Sequence, residues 1–527
     1  MQPAGAGCIL QFLAMKGFLL LFFLFLLPGF VISQPHVADA KRDHIWVMGL
    51  TSSPTNSYRG GIWLDFSGDT LTVDSFNIGI SFTWTNGMIC DTAGNLVLYC
   101  NGLFVANSDN EIIENGDGLN PGPVAKKKIK NGWDDATYSL PQGALVLPRY
   151  GMDNQYYIIH GTLDYPNDLI PGPHISKLLY STVDMDGDNG KGIITDKNIS
   201  IFEDDLGVGE ITAVRHANGQ DWWIVIGKFD SNEYYRLLVK PDTIIQKPNQ
   251  IIGDTVLTGL PQAVFSPDGN WFVRLNKLKI SIGTQIDIYH FDRCSGELSN
   301  HRQIIYNDSS SAGGVAISPN SRYLYVPSTV YLYQYDLQAS DIEASRQTVA
   351  IWDTTYSPNF PLATRFYLAQ LAPDGKIYIN SPNGVDILHV IHNPDQPGLA
   401  CNVEQRGVDL PFGNGFTIPN YPNFRLGPTA APCIEDPTTH LDGFQAGAAF
   451  QHKVFPNPAT GYTFLEVKGD GLLQEGTFLL FDSYGRSVLK ERVLPGPGVQ
   501  QIELRALPPG VYFYSIYQGR RRMGVGK

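Results

Sequence analysis

The feature that most constrains this 527-residue chain is a turn-plus-strand unit recurring at a near-constant interval. Its clearest copies are Phe265-Ser266-Pro267-Asp268-Gly269-Asn270-Trp271-Phe272-Val273, Ile317-Ser318-Pro319-Asn320-Ser321-Arg322-Tyr323-Leu324-Tyr325-Val326 and Leu371-Ala372-Pro373-Asp374-Gly375-Lys376-Ile377-Tyr378-Ile379. Their prolines stand 52 and 54 residues apart, and looser copies occur at 91–99, 149–158 and 216–224. In each unit Pro presets φ for a turn, Asp or Asn caps it, Gly accepts positive φ, and the alternating residues that follow suit a strand with two unlike faces. A second strand follows each clear copy, as at 286–292 and 330–336. A period near 50 with about four short strands per unit is the spacing of a β-propeller.

Composition agrees with an all-β chain. There are 54 Gly, 35 Pro and 12% aromatic residues, so turn formers and strand formers are both abundant. With 43% hydrophobic and 17% charged residues the chain is neither disordered nor fibrous. The span 43–428, about 385 residues, accommodates six to eight repeats, and seven is the count adopted. The strand regions 45–48 and 62–66 are expected to close the ring with 416–424, because closure removes free sheet edges.

The formal net charge of −13 argues against nucleic acid or an anionic membrane as partner, since both require clustered Lys and Arg. That charge is uneven: from Gln451 onward ten basic and six acidic side chains give +4, leaving −17 on the rest. Such a shift marks a domain boundary. Residues 429–450, rich in Pro, Thr, Gly and Ala without strand periodicity, read as a linker. At the other end, the apolar run 18–30 behind Lys16 has the form of a secretory signal peptide, expected to be cleaved near Ser33 or Gln34. A membrane anchor is the rival reading, but the run is nearer 13 than 18 residues and Pro28 breaks its end. Residues 1–33 are therefore assigned to the signal. No second apolar run long enough to span a membrane follows.

Cys8 falls within the signal, and Cys90, Cys100, Cys294, Cys401 and Cys433 remain, without a C-x-x-C pair that would suggest zinc or thioredoxin-like chemistry. Cys90 and Cys100 flank a hairpin turn and form either a disulfide across paired strands or two buried thiols.

The Ser-Pro-Asp-Gly turns resemble those of the YVTN/WD40-like propeller superfamily. Met88-Ile89-Cys90-Asp91, Gly94-Asn95-Leu96-Val97-Leu98-Tyr99, Asn101-Gly102, Asn115-Gly116-Asp117 and Gln142-Gly143-Ala144-Leu145-Val146-Leu147-Pro148 are similar to secreted propeller proteins of the Bacteroidetes. That likeness implies a fold and no activity. The end of the chain is more specific. Val454-Phe455-Pro456-Asn457-Pro458-Ala459, then Phe478-Leu479-Leu480-Phe481-Asp482-Ser483-Tyr484-Gly485-Arg486, then Leu507-Pro508-Pro509-Gly510-Val511-Tyr512-Phe513 resembles the C-terminal sorting domain of the type IX secretion system, type A. The resemblance implies a small Ig-like β-sandwich over 451–527, with Pro456, Asn457, Pro458, Gly485, Gly510 and Tyr512 as its sorting motif and the type IX machinery as partner. It also implies passage through the periplasm, then release or attachment at the outer-membrane surface. Family members continue past Gly-Lys with a short apolar strand, and the sequence here ends at Lys527, a departure expected to reflect truncation or an impaired signal.

Candidate chemistry is sparse. Asp184, Asp186 and Asp188 stand at i, i+2 and i+4, the spacing by which a tight loop turns oxygens toward calcium, although the distal Glu of an EF-hand is missing and an acidic solvated turn is the plainer reading. Trp133-Asp134-Asp135, Glu203-Asp204-Asp205 and Glu210 supply carboxylates of the kind a glycosidase pairs across a bond, though in an acidic chain such groups are more often solvated. His389 and His392 are the one close histidine pair, and Gly207-Val208-Gly209 is too short for a phosphate loop. Trp222, Trp223, Tyr234, Tyr235, Tyr331 and Tyr333 suit sugar stacking if exposed and sheet-to-sheet packing if buried, the latter being favoured. The reading is an exported binding or scaffold propeller for an unidentified protein or glycan. The alternative is a propeller hydrolase acting on a lactone, ester or glycan with a metal in its central channel.

Overall fold

The computed structural model describes residues 39–526 apart from 131–135, 165–172, 278–282, 430–432, 434–449 and the short stretches 311, 358, 360, 473–474, 483–486, 505–506 and 519–520. The expected signal peptide, Trp133-Asp134-Asp135, Gly485 and nearly all of the expected linker lie outside the described residues. No helix among the described residues is long and apolar enough to cross a membrane.

Among the described residues seven antiparallel sheets follow one another, three-stranded at 45–76 and 87–107 and four-stranded at 144–206, 213–256, 260–306, 316–351 and 369–409. Within each, strands pair in chain order, so each sheet is a meander with its first strand at one edge. Those first strands lie beside one another: Leu260–Phe265 adjoins both Ala213–Arg215 and Ala316–Ile317, and Gly87–Cys90 adjoins Ala144–Pro148. The result is a seven-bladed propeller.

The repeat turns form as their residues dictate. In the fifth blade Ser266 Oγ donates to Asp268 Oδ1 (2.5 Å), the backbone N–H of Asn270 donates to the same oxygen (3.0 Å), and Trp271 N–H donates to Ser266 Oγ (2.9 Å). Gly269 takes φ +76°, a conformation glycine adopts without cost. The Ser318 turn repeats this pattern through Asn320 Oδ1, with Ser321 in the left-handed position.

Ring closure departs from expectation in detail. Residues 416–424 do pass the first blade, but as irregular chain rather than as a strand. The inner edge of Ile45–Gly49 is satisfied by side chains instead, with Asn86 Nδ2 donating to Val47 O (2.9 Å) and Tyr421 Oη to Ile45 O (2.7 Å). Trp46 meets Tyr378 of the seventh blade edge-on at 5.8 Å. Unpaired edge groups need partners of some kind, and side-chain amides and hydroxyls suffice.

The C-terminal segment forms a two-sheet sandwich, as the sorting-domain likeness implied. Phe450–Phe455, Tyr462–Leu472 and Gly496–Glu503 make one sheet, and Ser487–Val493, Gly476–Phe481, Phe513–Gln518 and Arg521–Gly526 the other. Leu465, Val467 and Ile502 from the first pack with Phe478, Leu480 and Ile516 from the second, and the rings of Phe478 and Tyr514 stack at 5.2 Å.

Candidate functional site

The chain after the seventh blade runs in among the innermost strands of the propeller. After the seventh blade Gly413 N–H donates to Tyr58 O, and Asn420 then lies among the innermost strands. Its N–H donates to Asn86 O (2.9 Å), and its Nδ2 to Ala144 O (2.9 Å) and Ile211 O (2.8 Å). Gln142 bonds both the N–H and the carbonyl of Ala263, and donates to Asn420 Oδ1 (3.2 Å). Gln262 does the same for Ala369, with its Oε1 also receiving Val315 N–H. An amide offers a donor and an acceptor together, which is what an unpaired strand edge requires. The segment leaves among the repeat turns: Asn423 donates to Pro267 O, and Arg425 forms a two-pronged ion pair with Asp43, both contacts at 2.7 Å. Arg293 then donates to Gly427 O, Thr429 N–H donates to Ala217 O, and Cys433 is disulfide-bonded to Cys294.

Beside this exit lies a cavity of about 340 Å³, walled by Val264, Phe265, Ala316, Ile317 and Tyr421 with Gln370 and Arg425 among its few polar groups. It is a mostly apolar hollow with convergent polar atoms, the usual form of a small-ligand site.

The residues singled out from sequence fall elsewhere. Asp184 Oδ1 accepts Asp186 N–H and its Oδ2 accepts Gln155 Nε2, while Asp186 Oδ1 accepts Asn154 Nδ2. Asp188 sits in a turn at φ +46°. Among the described residues no group of three or more His, Cys, Asp or Glu is gathered to hold a metal, and calcium at Asp184, Asp186 and Asp188 stays an expectation from their spacing. The carboxylates at 203–210 are likewise engaged separately. Glu203 pairs with Lys177, Asp204 with Lys228 and Tyr235, Asp205 with His174, and Glu210 is buried against Arg274. His389 is fully buried, which lowers its pKa to about 3, whereas His392 faces Glu404 at 2.7 Å. Trp222, Trp223, Tyr234, Tyr235 and Tyr333 are buried and Tyr331 is partly so, in keeping with packing between sheets.

Cys90 and Cys100 are free, buried thiols, their pKa pushed up to about 12 by burial. Of the two readings open for them, the buried thiols hold, and register gives the reason: Cys90 pairs with Leu96 and Cys100 with Gly87, so the two do not oppose one another. The actual bridge, Cys294–Cys433, joins residues 139 apart and had no local sequence signal. Gln142, Gln262 and Asn420 were equally invisible, because each acts on a strand distant in sequence.

In the sandwich the first and third sorting motifs meet. Pro456, Asn457 and Pro458 and the turn 507–512 line one pocket of about 520 Å³ floored by Phe478 and Leu480. Tyr512 Oη donates to Pro508 O (2.7 Å), bracing the turn that contains Gly510.

The geometry so far defines a class: a seven-bladed propeller with a threaded axis, followed by a small sandwich that carries the sorting motifs. Residues 453–524 match the family described as the secretion system C-terminal sorting domain, so this segment is a sorting domain and directs export to the cell surface or beyond. No curated protein matches the chain. Among solved structures, a protein from Lactobacillus plantarum is similar at 14% identity and TM-score 0.38, over 71% of this chain and 98% of its own. A proposed 6-phosphogluconolactonase from Bacteroides fragilis gives 10% and 0.39 over 72% and 98%, and a hypothetical selenium-binding protein from Sulfolobus tokodaii 11% and 0.39 over 71% and 92%. None of these likenesses bears on what the propeller binds.

Proposed function

We propose that this protein is exported through the type IX system by its C-terminal sandwich and that the propeller then serves as a rigid binding platform for a protein or glycan, released or held at the outer surface. The observation that carries the reading is the threaded axis. Asn420 and Gln142 hold the chain across the passage where a propeller hydrolase would assemble its reacting groups, so recognition falls to the ring's faces and loops. The mature full-length chain is expected to retain specific ligands on glycan and surface-protein arrays while leaving lactone and nitrophenyl-ester substrates intact. Turnover above background would replace the binding reading with the hydrolase. Deleting the chain from Gln451 onward is expected to trap the protein inside the cell, and unchanged appearance in the medium or on the surface would refute the sorting role.

A further inference from the structure

We propose that a second cavity, beside Asp39 and Arg215, binds the carboxylate of an acidic sugar, and that Asp39 occupies this site in cis until a ligand displaces it. The inference rests on the binding reading above and names the ligand class for it. The cavity, about 440 Å³, is lined by Arg42, Arg149, Arg215, Asp39, Tyr150 and Tyr156. Three guanidiniums share the hollow with the carboxylates of Asp39, Asp91 and Asp153, so it is locally balanced where the propeller is acidic as a whole, and displacing Asp39 leaves it cationic.

Arg215 is the centre of the site. It closes the innermost strand Ala213–Arg215, is 2% exposed, and lies with its guanidinium 3.9 Å from the centre of the Trp222 ring, which fixes its plane. Its Nη2 donates to Asp39 Oδ2 at 2.6 Å and its Nη1 to Gln220 O at 3.3 Å, while its buried Nε meets no partner among the described residues. A guanidinium takes a carboxylate best through two parallel N–H groups, and an unpaired buried donor is costly. Asp39 supplies half of that contact, because its other oxygen, Oδ1, is held by Arg42 Nε at 2.6 Å. One aspartate thus bridges two arginines and leaves the fork on Arg215 incomplete. Asp39 lies on a turn with no strand to hold it, whereas Arg215 is built into the sheet, so the carboxylate can swing out while the fork stays. A free carboxylate entering the hollow would complete the pair with Nε and Nη2 together.

The surroundings favour a sugar as its bearer. Tyr150 is 52% exposed at the rim, and the Arg42 guanidinium lies 5.9 Å from the Tyr156 ring centre, so aromatic faces flank the cations. A flat apolar face beside a fixed cation suits a pyranose ring with an acid group, a uronic acid. Asp91, also at the rim, has its oxygens held by Ala93 N–H, Asn95 N–H and Asn95 Nδ2, so it pairs with none of the three arginines there.

Isothermal titration of the mature full-length chain with trigalacturonic acid tests this, with maltotriose and tri-glutamate as controls. Wild type is expected to bind the uronate and neither control, Arg215→Lys to lose binding at least about tenfold, and Asp39→Asn to tighten it about tenfold or more by removing the cis competitor. Melting curves of each variant separate loss of the site from loss of the fold. Should Asp39→Asn fail to fold, the wild-type and Arg215→Lys titrations decide alone. Equal binding of tri-glutamate overturns the sugar assignment, and no response to the uronate, or one unchanged in Arg215→Lys, overturns the site. If arrays then show another ligand, the platform reading stands without this site; if no ligand of any kind is found, that reading fails as well.

Discussion

Replacing Glu210 by glutamine probes how adjacent blades are joined. Glu210 precedes the fourth blade, and its carboxylate takes Arg274 of the fifth through Nε (3.0 Å) and Nη2 (2.8 Å), with Asn276 Nδ2 at 3.3 Å and Tyr234 Oη beside Arg274 Nη1. Both charged side chains are 1% exposed. Glutamine keeps the volume and removes the charge, leaving a buried guanidinium uncompensated, a loss of about 3–5 kcal/mol. At about 2.1 cal/mol/K per residue, the span 39–429 unfolds with an entropy of about 0.8 kcal/mol/K, so calorimetry should show Tm falling by about 4–6 °C. Removing both charges with Glu210→Leu and Arg274→Met should recover most of that, because a hydrophobic pair carries no desolvation penalty. A double-mutant cycle reads the coupling directly. A single-variant loss below about 1 kcal/mol, or additive effects in the cycle, would refute the account of a tightly coupled buried pair.

Mass mapping of the unreduced protein should find Cys294 linked to Cys433, with Cys90, Cys100 and Cys401 alkylated only after denaturation; reducing the bridge should cost about 3–5 kcal/mol, since it closes a long loop. Lys277 has its pKa pulled down to about 8 by burial, against the pull of Asp308, and its ammonium donates to Thr284 and Ser328. Because the unfolded chain keeps that proton up to about pH 10.4, folded stability should rise by as much as about 3 kcal/mol from pH 8 to 10.5, and urea titrations should show this slope missing from Lys277→Met. Phe478→Ala, which empties the sandwich core, should cost that domain about 3–5 kcal/mol and sharply reduce the protein found outside the cell, as read by fractionation and immunoblotting.

The legible features were local. Ser266, Pro267, Asp268 and Gly269 form a turn from their own hydrogen bonds, and Trp271 to Val273 alternate because successive strand side chains point to opposite faces. The sorting motifs were legible for the same reason, each being a short run with its own turn chemistry. The surroundings of the acidic loop at Asp184 and the state of the cysteines at 90 and 100 were not legible, because spacing along the chain states neither where a carboxylate finds its donors nor which register two strands adopt.

What the sequence determined by itself, then, was the repeat, its all-β character and the sandwich that ends the chain, since turn preference and strand alternation act over a few residues. What only the tertiary structure decided was everything made across blades: the chain threaded through the axis, the Glu210–Arg274 pair, the Cys294–Cys433 bridge and the half-made fork between Arg215 and Asp39. Closing a ring brings residues hundreds of positions apart within hydrogen-bond reach, and the partners then follow from strand order and register, which local composition does not encode.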